Sequence, residues 1–242
     1  MPYQSVKSIL EEFQENCLLL ARHGETDWNA RGLIQGQQNR PLSELGYRQR
    51  KVLFFRLRSV PLARIFTSGL DRAIQTALPL NAELGLAQEI LPALNEAKLG
   101  VFEGESKTEF ADELSARLYA KFLEDEVNVV LPGGGENLRQ LDARIQEPLK
   151  LILESLQSGH VLVVSHRNVN KMLIKNLLGL SFEEGQCVEH KNHWLYIFVP
   201  GAQEIFLISL DDATGPLVIR PGYERVTVAP PAAGPSRLER GS

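Results

Sequence analysis

Cysteine is scarce in this chain of 242 residues: only Cys17 and Cys187 occur, too few for a disulfide framework. Cys17 opens an apolar run, and both thiols are read as structural. Long apolar runs are also missing, since none approaches the roughly 18 residues that a membrane-spanning helix needs. The first residues carry Glu11, Glu12 and Glu15 and lack the basic-then-apolar order of a signal peptide. The expected location is therefore cytoplasmic, with no membrane as partner. Excess charge is absent as well, because a formal net charge of −4 gives no broad electrostatic footprint for nucleic acid. Any anion site must be local. Hydrophobic residues at 43% and charged residues at 23% match ordinary globular usage. The length suits one α/β core, since single cores stop growing at about 250 to 300 residues.

What is present is a repeated arrangement of buried strands that end in reactive side chains. Cys17-Leu18-Leu19-Leu20-Ala21 is short and apolar and leads at once into Arg22-His23-Gly24. Val161-Leu162-Val163-Val164 does the same and ends in Ser165-His166. Ligands of open α/β sheets bind beyond the carboxyl ends of strands, where these two histidines stand. Between them, Leu45, Val52, Leu53 and Leu57 mark a helix face with Ser43 as its N-cap, and residues 65–67 read as a short strand. A helix starting near Asp71 carries Ile74, Ala77 and Leu78, and Pro79 should end or kink it. Phe110, Leu114, Leu118 and Phe122 predict one amphipathic helix, and Leu141, Ile145 and Leu149 another, bent at Pro148. Val169, Met172, Leu173 and Leu177 mark a further helix, followed by a hairpin over residues 193–199 and 204–208. His160 is placed on a surface loop.

Strands alternating with helices predict a three-layer α/β/α sandwich whose sheet is mainly parallel, with one antiparallel strand from the hairpin. The expected organisation is an N-terminal extension over 1–16, one domain over 17–210, and a flexible proline-rich tail over 211–242.

Arg22-His23-Gly24-Glu25-Thr26 carries the chemistry. Phosphoryl transfer to imidazole needs a neutral, oriented ring nitrogen beside fixed positive charge, and Arg22 supplies that charge. Gly24 lets the backbone pass close to a ligand, and Glu25 or Thr26 is placed to orient the other ring nitrogen. Taken singly, these residues have structural alternatives: a histidine ending a strand, Arg72 on an exposed helix face, Glu96 capping a loop, His166 satisfied in the core. His190 and His193 form a His-x-x-His pair, but no third ligand stands at metal-binding spacing, and no metal or other cofactor is expected.

The ordered set removes most of that ambiguity. Leu20-Ala21-Arg22-His23-Gly24-Glu25-Thr26-x-Trp28-Asn29 resembles the signature of the histidine phosphatase superfamily in its phosphoglycerate-mutase-like branch. Gln35-Gly36, Pro41-Leu42-Ser43-x-x-Gly46, Thr67-Ser68-x-Leu70-x-Arg72-Ala73-x-Gln75-Thr76-Ala77, Glu96-x-x-x-Gly100-x-Phe102-Glu103-Gly104 and Val163-Val164-Ser165-His166 follow in the family's order. The resemblance spans about Cys17 to Leu210. It implies His23 as nucleophile; Arg22, Arg72 and His166 around the phosphoryl oxygens; Glu96 as proton donor and acceptor; and Asn29, Gln35 and Thr26 as polar contacts to substrate. It further implies a helical cap insertion over about 98–136 that sets specificity, no metal, and a small phosphoester as the partner. The oligomeric state is not legible.

Where the family places two glycines after its second histidine, this chain has Arg167-Asn168. Arg167 is therefore a candidate for binding a second anionic group of the substrate, with a solvated arginine as the alternative. Gly133-Gly134-Gly135-Glu136 resembles the family's loop ahead of a helix, read either as an anion site or as a cap. The interval from Glu96 to His166 is 70 positions, shorter than the resemblance implies for mutases, which favours water as the acceptor. The rivals are mutase-type phosphoryl transfer and a binding module without turnover. Other phosphatase designs fail on spacing: no arginine stands at the sixth position after either cysteine, and no P-loop or Gly-x-Ser-x-Gly elbow occurs.

Overall fold

A computed structural model describes residues 5–226. In chain order it runs α1 (Val6–Leu10), β1 (Leu18–Arg22), α2 (Asp27–Ala30), α3 (Glu44–Leu57), β2 (Leu62–Thr67), α4 (Asp71–Leu84) and β3 (Gln88–Ile90). It continues through α5 (Glu113–Glu124), α6 (Leu138–Ser155), β4 (His160–Ser165), α7 (Arg167–Leu178), α8 (Phe182–Gln186), β5 (Trp194–Val199), β6 (Glu204–Ser209) and β7 (Ile219–Pro221). One seven-stranded sheet has the order β3-β2-β4-β1-β5-β6-β7. The first four strands are parallel, and β5, β6 and β7 are joined by antiparallel pairing.

Alternation along β1 builds the layers, because successive side chains leave opposite faces of a strand. Leu18 and Leu20 enter the core formed with α6 and α7, whereas Leu19 and Ala21 enter the core formed with α1, α3 and α4. The architecture is the expected α/β sandwich. A third apolar cluster gathers Phe102, Tyr119, Phe122 and Leu131 of the 98–136 segment around Ile34, away from the two sheet faces.

Several local expectations change. Helix α4 runs through Pro79. The missing N–H leaves the Gln75 carbonyl without its helical donor, and Arg50 Nη1 donates to it at 3.3 Å. Helix α6 holds Pro148, the site of its expected bend, without ending there. Phe110 precedes α5, Leu114 is exposed, and the buried face of that helix is Tyr119 and Phe122. His160 begins β4, and its Nδ1 accepts the Cys17 N–H at 2.9 Å. Residues 211–226, within the stretch expected to be a flexible tail, instead join the fold. Strand β7 adds to the sheet, Leu217 is buried, and Arg56 binds the carbonyls of Asp212, Thr214 and Gly215. The rest of that tail, 227–242, lies outside the described residues. Cys17 is buried, which pushes its thiol up to about 12, and both cysteines are free. Among the described residues no helix is long and apolar enough to cross a membrane.

Candidate active site

The sheet register brings the two histidines together. In the parallel β1–β4 ladder Arg22 stands opposite Ser165, so His23 and His166 leave neighbouring strands at the same height, with ring centroids 5.0 Å apart. Both are almost fully buried. His23 Nδ1 lies 2.8 Å from the Gly24 carbonyl oxygen, which can only accept. The proton is therefore on Nδ1, and Nε2 carries the free lone pair. Burial first, then Arg72 and Arg22, hold His23 well below the ordinary histidine value, so the ring is neutral at physiological pH.

His166 is held through its other ring nitrogen. Ser68 Oγ accepts the Leu70 N–H at 3.2 Å and lies 2.7 Å from His166 Nε2. Nδ1 is buried and has no partner among the described residues. Burial, Arg72 and His23 keep this ring neutral too.

The cations are fixed from behind. Arg22 Nη1 donates to the His190 carbonyl at 3.0 Å, leaving Nε buried and unpartnered. Arg72 donates from Nη1 and Nη2 to the carbonyls of Gln38 and Gly36, both at 2.8 Å, and from Nε to His23 Nε2 at 3.2 Å. Burial lowers both guanidinium values to about 10, which leaves them charged at neutral pH. Glu96 reaches the same pocket, its carboxylate accepting N–H groups of Ala97 at 2.9 Å and Asn168 at 3.4 Å. Asn29 and Gln35 line the pocket with them.

Thr26 does not line it. Its buried hydroxyl accepts the Asn29 N–H and donates to Gln35 Oε1 at 2.9 Å. That bond turns the Gln35 amide so that Nε2, buried and unpartnered, is its remaining donor. Glu25 accepts from Ser43 rather than orienting His23. The tight constraint on Gly24 is also internal: a Cβ there would lie 2.7 Å from the Gly46 carbonyl oxygen. The Gly24 N–H donates to Thr76 Oγ1, and Ser43 N–H donates to the Glu25 carbonyl, so the motifs around Ser43 and Thr76 clamp the loop that follows His23.

Arg167 opens α7 and lines the pocket, but half-buried as it is, its guanidinium is not free. Its Nε pairs with Glu189 at 3.1 Å and its Nη1 with Glu126 at 3.7 Å. Glu136 takes two bonds from Arg144, and Asn137 is the N-cap of α6, so the glycine loop serves structure here. His190 is engaged at both nitrogens, by Asn170 and by the Trp194 carbonyl, while His193 faces Asp211.

Residues 18–213 match the model of the histidine phosphatase superfamily, branch 1. The chain belongs to that superfamily. Membership places it among the phosphoric monoester hydrolases. It is similar to the adenosylcobalamin/alpha-ribazole phosphatase of Salmonella typhimurium, 35% identical over 66% of this chain and 79% of that one. The metal-independent phosphoserine phosphatase of Arabidopsis thaliana is 35% identical over 63% of this chain and 64% of that one. A probable phosphoglycerate mutase of Yersinia pestis is 34% identical over 66% and 74%. Among solved structures, a putative alpha-ribazole-5'-P phosphatase from Escherichia coli superposes with a TM-score of 0.67 at 26% identity, over 87% of this chain and 97% of that one.

Sequence reasoning missed the residues that hold this histidine phosphatase site from outside. Glu103 accepts N–H groups of Gln37 and Leu99 and the Gln38 amide, which shapes the loop whose carbonyls grip Arg72. Gly36 in that loop has φ +51°, and a Cβ there would collide with the Glu103 carboxylate. Asn192 donates to the His23 carbonyl at 2.6 Å, and Arg144 binds the carbonyls of Ala93, Asn95 and Glu96. Glu103 stood inside a recognised motif. Asn192 and Arg144 had no local signal, because their partners are distant in sequence.

Proposed function

We propose that this chain hydrolyses a small phosphomonoester through a phosphohistidine on His23, without a metal. The observation that carries the reading is the tautomer of His23, neutral with its lone pair at Nε2, ringed by buried donors that the protein leaves unpartnered. Those donors are Arg22 Nε and Gln35 Nε2, joined by His166 Nδ1 in the tautomer whose Nε2 accepts from Ser68. They match a phosphoryl group, whose charge spreads over three oxygens in the transition state.

In the first half-reaction Nε2 attacks phosphorus, and Arg72 Nε turns from Nε2 to a phosphoryl oxygen. The P–O bond to the alcohol breaks, and Glu96 gives its proton to the leaving oxygen. In the second half, water attacks the phosphohistidine while the Glu96 carboxylate takes its proton. The P–N bond breaks, its electron pair returns to Nε2, and inorganic phosphate leaves. The pocket, about 100 Å³ in volume, suits a phosphoryl group with a short carbon skeleton. The relatives include both phosphatases and a mutase, and the short interval before His166 favours water as acceptor.

The test supplies purified protein and chelator with an aryl phosphate and with 3-phosphoglycerate, with and without bisphosphoglycerate. Phosphate release that disappears in His23→Ala supports the reading. Isomerisation outrunning release assigns mutase chemistry, and no turnover across a broad phosphoester panel assigns a binding role.

A further inference from the structure

Two fully buried polar side chains have no part in the proposed chemistry: Asn170, one turn into α7, and His190, the first of the His-x-x-His pair. A buried amide costs stability unless its donors and its acceptor are met. Those of Asn170 are met by groups from three separate segments. The amide nitrogen lies 3.2 Å from the Ala21 carbonyl, which can only accept, and that fixes which way the amide points. The amide oxygen then accepts from the Ser165 hydroxyl. The second amide hydrogen goes to His190 Nδ1 at 2.8 Å. The His190 ring agrees with this assignment, because Nε2 is 3.0 Å from the Trp194 carbonyl and must carry the ring hydrogen. Burial lowers that ring to about 3, so it is neutral and its Nδ1 is free to accept.

The three segments meet where the pocket is built. Ala21 precedes Arg22, and Ser165 precedes His166. The third segment, before β5, gives the His190 carbonyl to Arg22 Nη1 at 3.0 Å and the Asn192 amide to the His23 carbonyl at 2.6 Å. The sheet does not supply these ties. On its β5 side the ladder of β1 stops at Ala21, opposite Leu195, so Arg22 and His23 project past the last backbone pairing with that neighbour. Among the described residues the His190 carbonyl is the one acceptor for the Arg22 guanidinium, whose Nε stays unpartnered.

We propose that Asn170 is a positioning residue for phosphoryl binding: by tying the His190 ring to the ends of β1 and β4, it fixes the carbonyl that aims Arg22. Asn170 does not line the pocket and acts only through that arginine. The proposal rests on the reading of Arg22 as a phosphoryl-binding group, and it is testable by binding alone.

Binding of inorganic phosphate to the full chain is measured by calorimetry in four forms: unaltered, Asn170→Ala, Arg22→Ala and the double variant. With Arg22 present, Asn170→Ala is expected to weaken binding about tenfold, the size of one charge-assisted hydrogen bond. On the Arg22→Ala background the same change should have no further effect, because the group it positions is gone. The same pattern is expected in kcat/KM for an aryl phosphate. A generally loosened fold would weaken both backgrounds by one factor, and that result, or no loss in either, overturns the proposal. His190→Phe keeps the bulk of the ring while removing both of its bonds, and it replaces Asn170→Ala in the cycle if that variant does not fold. If neither variant folds, the amide holds the fold rather than Arg22, and the proposal falls. The expected cycle in phosphate binding without phosphate release from any ester overturns only the hydrolase reading.

Discussion

A histidine has two ring nitrogens, and the partner of one decides what the other can do. At His23 a carbonyl fixes Nδ1 as donor, and at His166 a serine hydroxyl holds Nε2, so the two neutral histidines present different ring nitrogens to the pocket. In the proposed mechanism Glu96 is the proton carrier. Glu96→Gln should lower kcat for alkyl phosphates by about 10²- to 10⁴-fold, the usual contribution of a positioned acid. With an aryl phosphate, whose leaving group needs no proton, the phosphoenzyme should instead build up because water attack lacks its base. Rapid-quench labelling reads that accumulation, and equal losses on both steps for both esters would count against the role. Residue identities at the centre of this site were legible because Arg22, His23, Arg72, Glu96 and His166 recur in a fixed order. The duties of Thr26 and Arg167 were not, since one hydroxyl pointing at Gln35 and two carboxylates around a guanidinium are facts of three-dimensional pairing.

At the scale of elements, the strands were the clearest feature, because unbroken apolar runs such as that of β1 and β4 occur where both sheet faces are covered. Helix ends and interruptions were harder. Pro79 predicts an end or a kink by local rules; the helix does not end there, and Arg50 on α3 donates to the carbonyl that lost its helical partner. Strand β7 was missed since three residues with a proline carry no periodicity, and only the exposed edge of β6 gives them a place. The link between α7 and the segment after α5 is ionic: Lys171, 1% exposed, binds Glu126, 6% exposed. Lys171→Met leaves a buried carboxylate short of its partner and should cost about 3 to 5 kcal/mol by denaturant unfolding. Lys171→Met combined with Glu126→Gln should recover much of that loss. A double variant no better than the single would show that the pair does not act as a unit.

For the whole molecule, three buried neutral histidines set the acid limit of stability. Burial keeps His23 and His166 well below 6.5, and lowers His190 from 6.5 to about 3. Above pH 6.5 neither folded nor unfolded chain binds these protons, and the contribution is fully present. Below it the unfolded chain is protonated and the folded one is not, so stability falls as pH drops, for His190 across the window from 6.5 to about 3. Urea midpoints should therefore decline from pH 7 to pH 5, and His190→Gln should flatten that decline. An unchanged slope would mean that His190 accepts a proton in the folded state. The proposed turnover depends on covalent chemistry at one nitrogen, and the most direct test is to trap it. The protein, mixed with an aryl phosphate, is quenched in alkali within milliseconds, digested, and read by mass spectrometry. Transient, acid-labile phosphorylation of the His23 peptide at a rate matching turnover, absent in His23→Ala, is the predicted result. Phosphate release with His23 never phosphorylated, or release persisting in His23→Ala, would contradict it.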